Sequence, residues 1–254
     1  MTAELTSFVP PYRAILIDLD GTLLDTIPDL AAAANGMLSE LGAPPLPVAD
    51  IATFVGKGTE HLVRRCLADE RVDLSSDNAA TARALTIFNK HYHAVNGRES
   101  RVYPGVQEGL AAFRKMGAKL AVVTNKPTEF TLPLLERSGL SEWFGVIVCG
   151  DTCPRKKPDP LPLLHACKQL GCAPAQALAI GDSINDALAA RAAGITVLAV
   201  PYGYNEGRDV HGLDIDGIVF GIDDAAAWAT HPDTNRQCFN SQGASPQAQP
   251  VSNN

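Results

Sequence analysis

Two aspartates, Asp18 and Asp20, stand one residue apart where the apolar run Ile15-Leu16-Ile17 gives way to Gly21-Thr22. In an extended chain, side chains two apart project to the same side, so the pair presents two carboxylates together near a strand end. Left alone they repel, and one is driven to hold a proton. The arrangement becomes useful when a hard divalent cation lies among the acids, because Mg2+ prefers a few carboxylates with water and a phosphate oxygen. More polar residues follow later apolar runs: Thr124-Asn125-Lys126, then Arg155-Lys156-Lys157 ahead of Pro158, then Asp182-Ser183-Ile184-Asn185-Asp186. A lysine and a hydroxyl beside carboxylates suit a phosphoryl group, whose oxygens gain charge during transfer. One aspartate of the pair can attack phosphorus. The other, its protonated form favoured by crowding, can give a proton to the leaving oxygen and then activate water.

Strands have to carry these residues to one place. RAILID (13–18), AKLAVVT (118–124), GVIVCG (145–150), ALAIGD (177–182) and ITVLAV (195–200) are short, mostly apolar runs, as expected of strands covered on both faces. Helical segments lie between the later ones, with Gly117, Gly139, Gly171 and Gly194 where helices would end. GIVF (217–220) adds a further strand and DDAAAWAT a closing helix. Strand–helix alternation predicts an α/β, Rossmann-like, doubly wound parallel sheet whose chemistry gathers beyond the carboxyl ends of the strands. No strand is predicted between Asp25 and Tyr103. PDLAAAANGMLSELG, TEHLVRRCLADE and DNAATARALTIFNKHYHAV read instead as helices. The expected organisation is a discontinuous catalytic core (1–26 and 102–232), a helical cap domain (27–101) inserted after the first strand, and a polar, disordered tail (233–254).

A formal net charge of −7 argues against nucleic acid or an acidic membrane as partner, since either needs a basic face. No apolar stretch reaches the length of a membrane span and no leader is visible, so a cytoplasmic location is expected. The six cysteines match no common zinc spacing and are expected to be reduced thiols. His91 and His93, two apart on a predicted helix, face apart and do not form a metal pair. Lys156 is assigned to the surface. Asp25 and Thr26 are read as helix caps and excluded from catalysis. Monomer and homodimer are both compatible with the sequence.

The ordered set DLDGTLLDT, VVTNK, RKKPDP and GDSIND resembles the four motifs of the haloacid dehalogenase superfamily, over roughly Arg13 to Ala229. The resemblance implies Asp18 as nucleophile and Mg2+ ligand, and Asp20 as general acid/base with its backbone carbonyl on the metal. It implies Thr124, aided by Asn125, as the phosphoryl hydrogen-bonding group and Lys157 as the cation that neutralises an aspartyl-phosphate. Asp182 would be the remaining metal ligand and Asp186 a supporting carboxylate. The helical insertion looks like the mobile cap of the C1 group. Dehalogenases and phosphonoacetaldehyde hydrolases lack an aspartate two residues beyond the nucleophile, so Asp20 implies small phosphate esters as substrates. PYGYNEGRDV (201–210) and VGKGTEHLV look most like bacterial phosphoglycolate phosphatases, which implies hydrolysis of 2-phosphoglycolate. In the cap, Gly56 and Gly58 bracket Lys57 just before a helix, and Lys57 is expected to meet the substrate carboxylate. A β-phosphoglucomutase-type phosphomutase, or a phosphatase for another small sugar or nucleotide phosphate, shares the same motifs. The intact acid, hydroxyl and lysine set disfavours a non-enzymatic binding module.

Overall fold

A computed structural model of the chain describes residues 12–68, 78–231 and 235. The DLSS spacer and, apart from Asn235, the tail at 233–254 lie outside the described residues. In chain order the strands are β1 (Ala14–Ile17), β2 (Leu24–Asp25), β3 (Arg101–Val102), β4 (Lys119–Val123), β5 (Val146–Val148), β6 (Ala177–Gly181), β7 (Thr196–Ala199) and β8 (Gly217–Ile218). The helices are α1 (Ile27–Glu40), α2 (Val48–Ala52), α3 (Thr59–Leu67), α4 (Asn78–Val95), α5 (Val106–Lys115), α6 (Thr128–Arg137), α7 (Leu161–Leu170), α8 (Ile184–Ala193) and α9 (Ile222–Trp228).

Six strands form one sheet in the order β5-β4-β1-β6-β7-β8, every neighbouring pair parallel. Side chains alternate between its faces. Ile15, Ile17, Leu120, Val122, Leu178 and Ile180 bury against α5, α6 and α9. Ala14, Leu16, Ala121, Val123 and Ala179 bury against α7 and α8. Both faces are therefore dry, which is why each strand reads as a continuous apolar run. Helices α7 and α8 close on Gly171 and Gly194, both in the left-handed conformation expected of C-terminal glycines. From central β1 the chain winds outward through β4 and β5, then returns to place β6 on β1's other side. That reversal opens a crevice over the adjacent ends of β4, β1 and β6, the place where such sheets bind ligands.

Helices α1 to α4 bury a separate apolar cluster around Leu38, Ile51, Val63, Phe88 and Tyr92, joined by Phe130 of α6. Sequence reading allowed no strand between Asp25 and Tyr103. The structure corrects this with an antiparallel ribbon in which Leu24 and Asp25 of β2 pair with Val102 and Arg101 of β3. It ties the entry of the helical block to its exit. Buried Asp29 reinforces the tie, accepting the backbone N–H groups of Gly97 (2.8 Å), Glu99 (3.0 Å) and Ser100 (3.0 Å).

Candidate active site

The sheet delivers its acids together. Asp18 follows β1, Thr124 follows β4 and Asp182 follows β6, so three neighbouring strand ends feed one place. A cleft opens there. Its core wall is Asp18, Asp20, Thr124, Asn125 and Lys126; its other wall is Leu30, Val55, Gly56, Gly58, Thr59 and Leu62 from the helical block. After the acid pair the chain reverses tightly, the Leu19 carbonyl accepting from the amides of Leu23 and Leu24 (both 3.0 Å). Gly21 takes φ +83°, and a Cβ there would run into the Asp182 carboxylate. The same holds at Gly203, so two glycines give Asp182 its room.

Lys157 sits beneath the carboxylates. Its Nζ donates to Asp18 Oδ1 (2.7 Å), Asp186 Oδ1 (2.6 Å) and the Val123 carbonyl (2.7 Å). Burial opposes its charge, yet Asp18 and Asp186 hold the ammonium above the ordinary lysine range. Asp186 is fixed from its other oxygen, which accepts from Ser183 N (3.2 Å) and Ser183 Oγ (2.6 Å) in a capping box at the start of α8. Ser183, not Asp182, is therefore the N-cap. Asp182 stays outside the helix, accepting from the Tyr204 backbone N–H at 2.6 Å.

Burial pushes the Asp18 carboxyl up to about 7 despite Lys157 beside it. Burial, then the charges of Asp18 and Asp186, also drives Asp182 well above the carboxylate range. Asp18, Asp182 and Asp186, all buried, each bring an oxygen within 4.8 Å of the others. One ammonium cannot balance three buried carboxylates. The excess negative charge and the all-oxygen donor set fit a hard divalent cation.

Asp20 has partners of its own. Lys126 Nζ donates to its Oδ1 (2.8 Å) and Oδ2 (3.0 Å), and Thr26 Oγ1 donates to Oδ1 (2.8 Å). Burial opposes the Lys126 charge, but Asp20 holds it above the ordinary lysine range. Thr26, set aside as a helix cap, makes no side-chain capping bond and serves Asp20 instead. Asp25 does accept from Ile27 N (3.2 Å), as a cap would.

Thr124 is buried and lines the cleft, with its hydroxyl accepting from Lys126 N at 3.2 Å. The Asn125 side chain is structural: it donates to the Gly56 carbonyl (2.9 Å) and the Lys157 carbonyl (2.9 Å) and accepts from Lys157 N (2.9 Å). It thus joins the loop of the helical block to the lysine segment of the core. Lys57 is not among the lining residues. Its ammonium pairs with Glu206, whereas Gly56 and Gly58 on either side of it do line the cleft. His91 and His93 turn to different acids, Glu40 and Glu129. Sequence reading missed Lys126 and Thr26 as partners of Asp20. The one available signal was the position of Lys126 at the same strand end as Thr124.

A doubly wound parallel sheet with acids, hydroxyl and lysine at neighbouring strand ends, covered by an inserted helical block, defines a class of hydrolase. The chain belongs to it: the family model described as haloacid dehalogenase-like hydrolase matches residues 15–200. The phosphoglycolate phosphatase of Thiobacillus denitrificans is 50% identical over 226 residues, covering 89% of this chain and 99% of that protein. That of Nitrosospira multiformis is 53% identical over 212 residues, covering 84% and 93%. Among solved structures, a predicted phosphoglycolate phosphatase from Haemophilus somnus superimposes with a TM-score of 0.81 at 33% identity, over 85% of this chain and 97% of the other. No helix of the described residues is long and apolar enough to cross a membrane.

Proposed function

We propose that the protein hydrolyses 2-phosphoglycolate to glycolate and phosphate through an aspartyl-phosphate on Asp18. The observation that carries the reading is the convergence of Asp18, Asp20 and Thr124 on one small cleft, with Lys157 on Asp18 at 2.7 Å. The substrate is supported by two relatives at 50% and 53% identity that bear that name.

An Asp18 carboxylate oxygen attacks phosphorus as the P–O bond to the substrate breaks, and the leaving oxygen takes a proton from Asp20. Water then attacks the phosphorus of the acyl phosphate and loses its proton to Asp20. Phosphate leaves and the Asp18 carboxylate returns. Thr124 and the Asn125 backbone hold phosphoryl oxygens, and Lys157 offsets their charge. Asp18, Asp182 and the Asp20 backbone carbonyl would hold Mg2+, with Asp186 supporting; the ion supplies charge stabilisation to the phosphoryl oxygens. Helices α1 to α4, in the segment 27–101, act as a cap that excludes water behind Leu30, Val55 and Leu62.

Phosphate release from a panel of phosphoesters, with Mg2+ and with chelator, tests this. Phosphoglycolate is expected to give the highest kcat/KM, with activity lost on chelation. Conversion of β-glucose 1-phosphate to the 6-phosphate without net release would make the protein a mutase.

A further inference from the structure

A substrate such as phosphoglycolate is anionic at both ends, and the cleft must meet the second end as well as the phosphoryl group. The cations near it are few. Lys157 has three donors, and Asp18, Asp186 and the Val123 carbonyl take all of them. Lys57 is paired with Glu206 and stands outside the lining. Lys156 reaches Gly58 of the loop, but it is exposed and does not line the cleft either. The Asn125 amide is fully engaged between Gly56 and Lys157. Among the described residues, Lys126 is the cationic side chain that lines the cleft; it is 4% exposed, paired with both oxygens of Asp20 and 5.0 Å from the centroid of the Tyr92 ring.

We infer that Lys126 binds the substrate carboxylate, opposite the first turn of α3, and that Lys57 takes no part in this; the inference rests on the substrate reading proposed above. The leaving oxygen that Asp20 protonates sits on the carbon that bears the carboxylate. A cation at hydrogen-bonding distance from Asp20 is therefore placed for the carboxylate next door. The facing wall suits the same charge. Thr59 opens α3, and its N-cap Gly58 offers no side-chain cap, so first-turn N–H groups and the positive end of the helix dipole are available to an anion. One ammonium then serves both the acid and the group that marks the substrate, so an ester lacking the carboxylate loses a contact at the acid itself.

The test compares kcat/KM for 2-phosphoglycolate with that for 2-hydroxyethyl phosphate, which lacks the carboxylate. Lys126→Met is expected to cut the preference for phosphoglycolate by about 10- to 100-fold, the range of a charge-assisted hydrogen bond. Lys126→Arg and Lys57→Ala keep the preference. Equal losses on both substrates in Lys126→Met would mean that Lys126 serves Asp20 alone, and a preference abolished by Lys57→Ala would return the carboxylate to the cap; either overturns the inference. Should Lys126→Met not fold, inhibition of the wild-type enzyme by 3-phosphonopropionate and by propylphosphonate decides. A carboxylate advantage of about tenfold or more that survives Lys57→Ala supports the inference, and near-equal inhibition overturns it. A wild-type enzyme that cleaves both esters equally removes the substrate reading itself, whereas a preference indifferent to Lys126 removes only the inference.

Discussion

The two walls of the cleft are made of different material. The core wall carries buried charge, and each charged group there has a named partner: Lys157 with Asp18 and Asp186, Lys126 with Asp20. The wall from the helical block offers Leu30, Val55 and Leu62, two glycines and the start of a helix. Buried ions must be held where their partners are, and the ends of hydrogen-bonded parallel strands are rigid enough to hold them. A cap proposed to open and close is better built of apolar side chains and backbone, which would leave no stranded charge on opening. On this reading the bond-making groups belong to the core, while the cap contributes shape, dryness and the backbone N–H groups at the start of α3.

Exchanging one residue on each wall separates their roles. Asp18→Asn removes the attacking group, and kcat for phosphate release is expected to fall by at least roughly 10^4-fold. Val55→Ala, on the opposite wall, should change kcat/KM by less than about tenfold, because it removes only apolar contact. A Val55 variant as inactive as the Asp18 variant would mean that the cap wall does chemistry. Next in size, Lys157→Met leaves Asp18 and Asp186 without their ammonium. A loss of roughly 10^2- to 10^4-fold in kcat/KM is expected, with destabilisation of about 3 kcal/mol or more in chelator, read by denaturant unfolding.

The charge on the core wall also predicts a dependence on pH. Asp18 in the folded chain keeps its proton to about 7, against an ordinary 3.8. Between those values the native state binds more protons than the unfolded chain, so this group's contribution to stability falls as pH rises from about 4 to about 7. A divalent cation bound among these acids would compete with that proton. The rise in Tm on adding Mg2+ to chelator-treated protein should therefore be larger at about pH 8 than at about pH 5. Equal rises at both would detach the metal from the Asp18 carboxylate.

The two walls also differ in how far the sequence foretold them. Asp18, Thr124 and Asp182 could be placed because each follows an apolar run that has to be a strand, and topology alone brings such ends together. Gly171 and Gly194 were legible for a similar reason: a local conformation demands them. The bond from Lys126 to Asp20 spans 106 positions, and nothing local marks it. Thr26 was hidden by a plausible local role at the start of α1, which it does not perform. The β2–β3 ribbon is two residues long on each side, too short to leave a hydrophobic period. Lys57 was singled out by its flanking glycines, which do belong to the cleft, while its own side chain turns to an acid far along the chain.

Exchanges at the Lys57–Glu206 pair are expected to have small effects. Lys57 lies in the loop of the helical block and Glu206 in the core segment after β7, with side chains 40% and 15% exposed. Glu206 adopts φ +54°, and the neighbouring Asn205 (φ +35°) accepts from the Ile184 N–H at the start of α8. The acid is thus presented from a turn anchored to the helix that carries Asp186. The pair is exposed on its lysine side and largely buried on its glutamate side, so it is worth about 1 kcal/mol, and Lys57→Glu or Glu206→Lys alone should raise KM a few-fold by setting like charges against each other across the walls. The double exchange, Lys57→Glu with Glu206→Lys, restores the attraction with its direction reversed and should return KM to within about twofold of the wild-type value. A lysine that gripped the substrate carboxylate could not be rescued in this way, since the exchange would set a glutamate against that carboxylate. Failure of the double variant to recover would give the Lys57 side chain a role in substrate binding that its pairing with Glu206 does not explain.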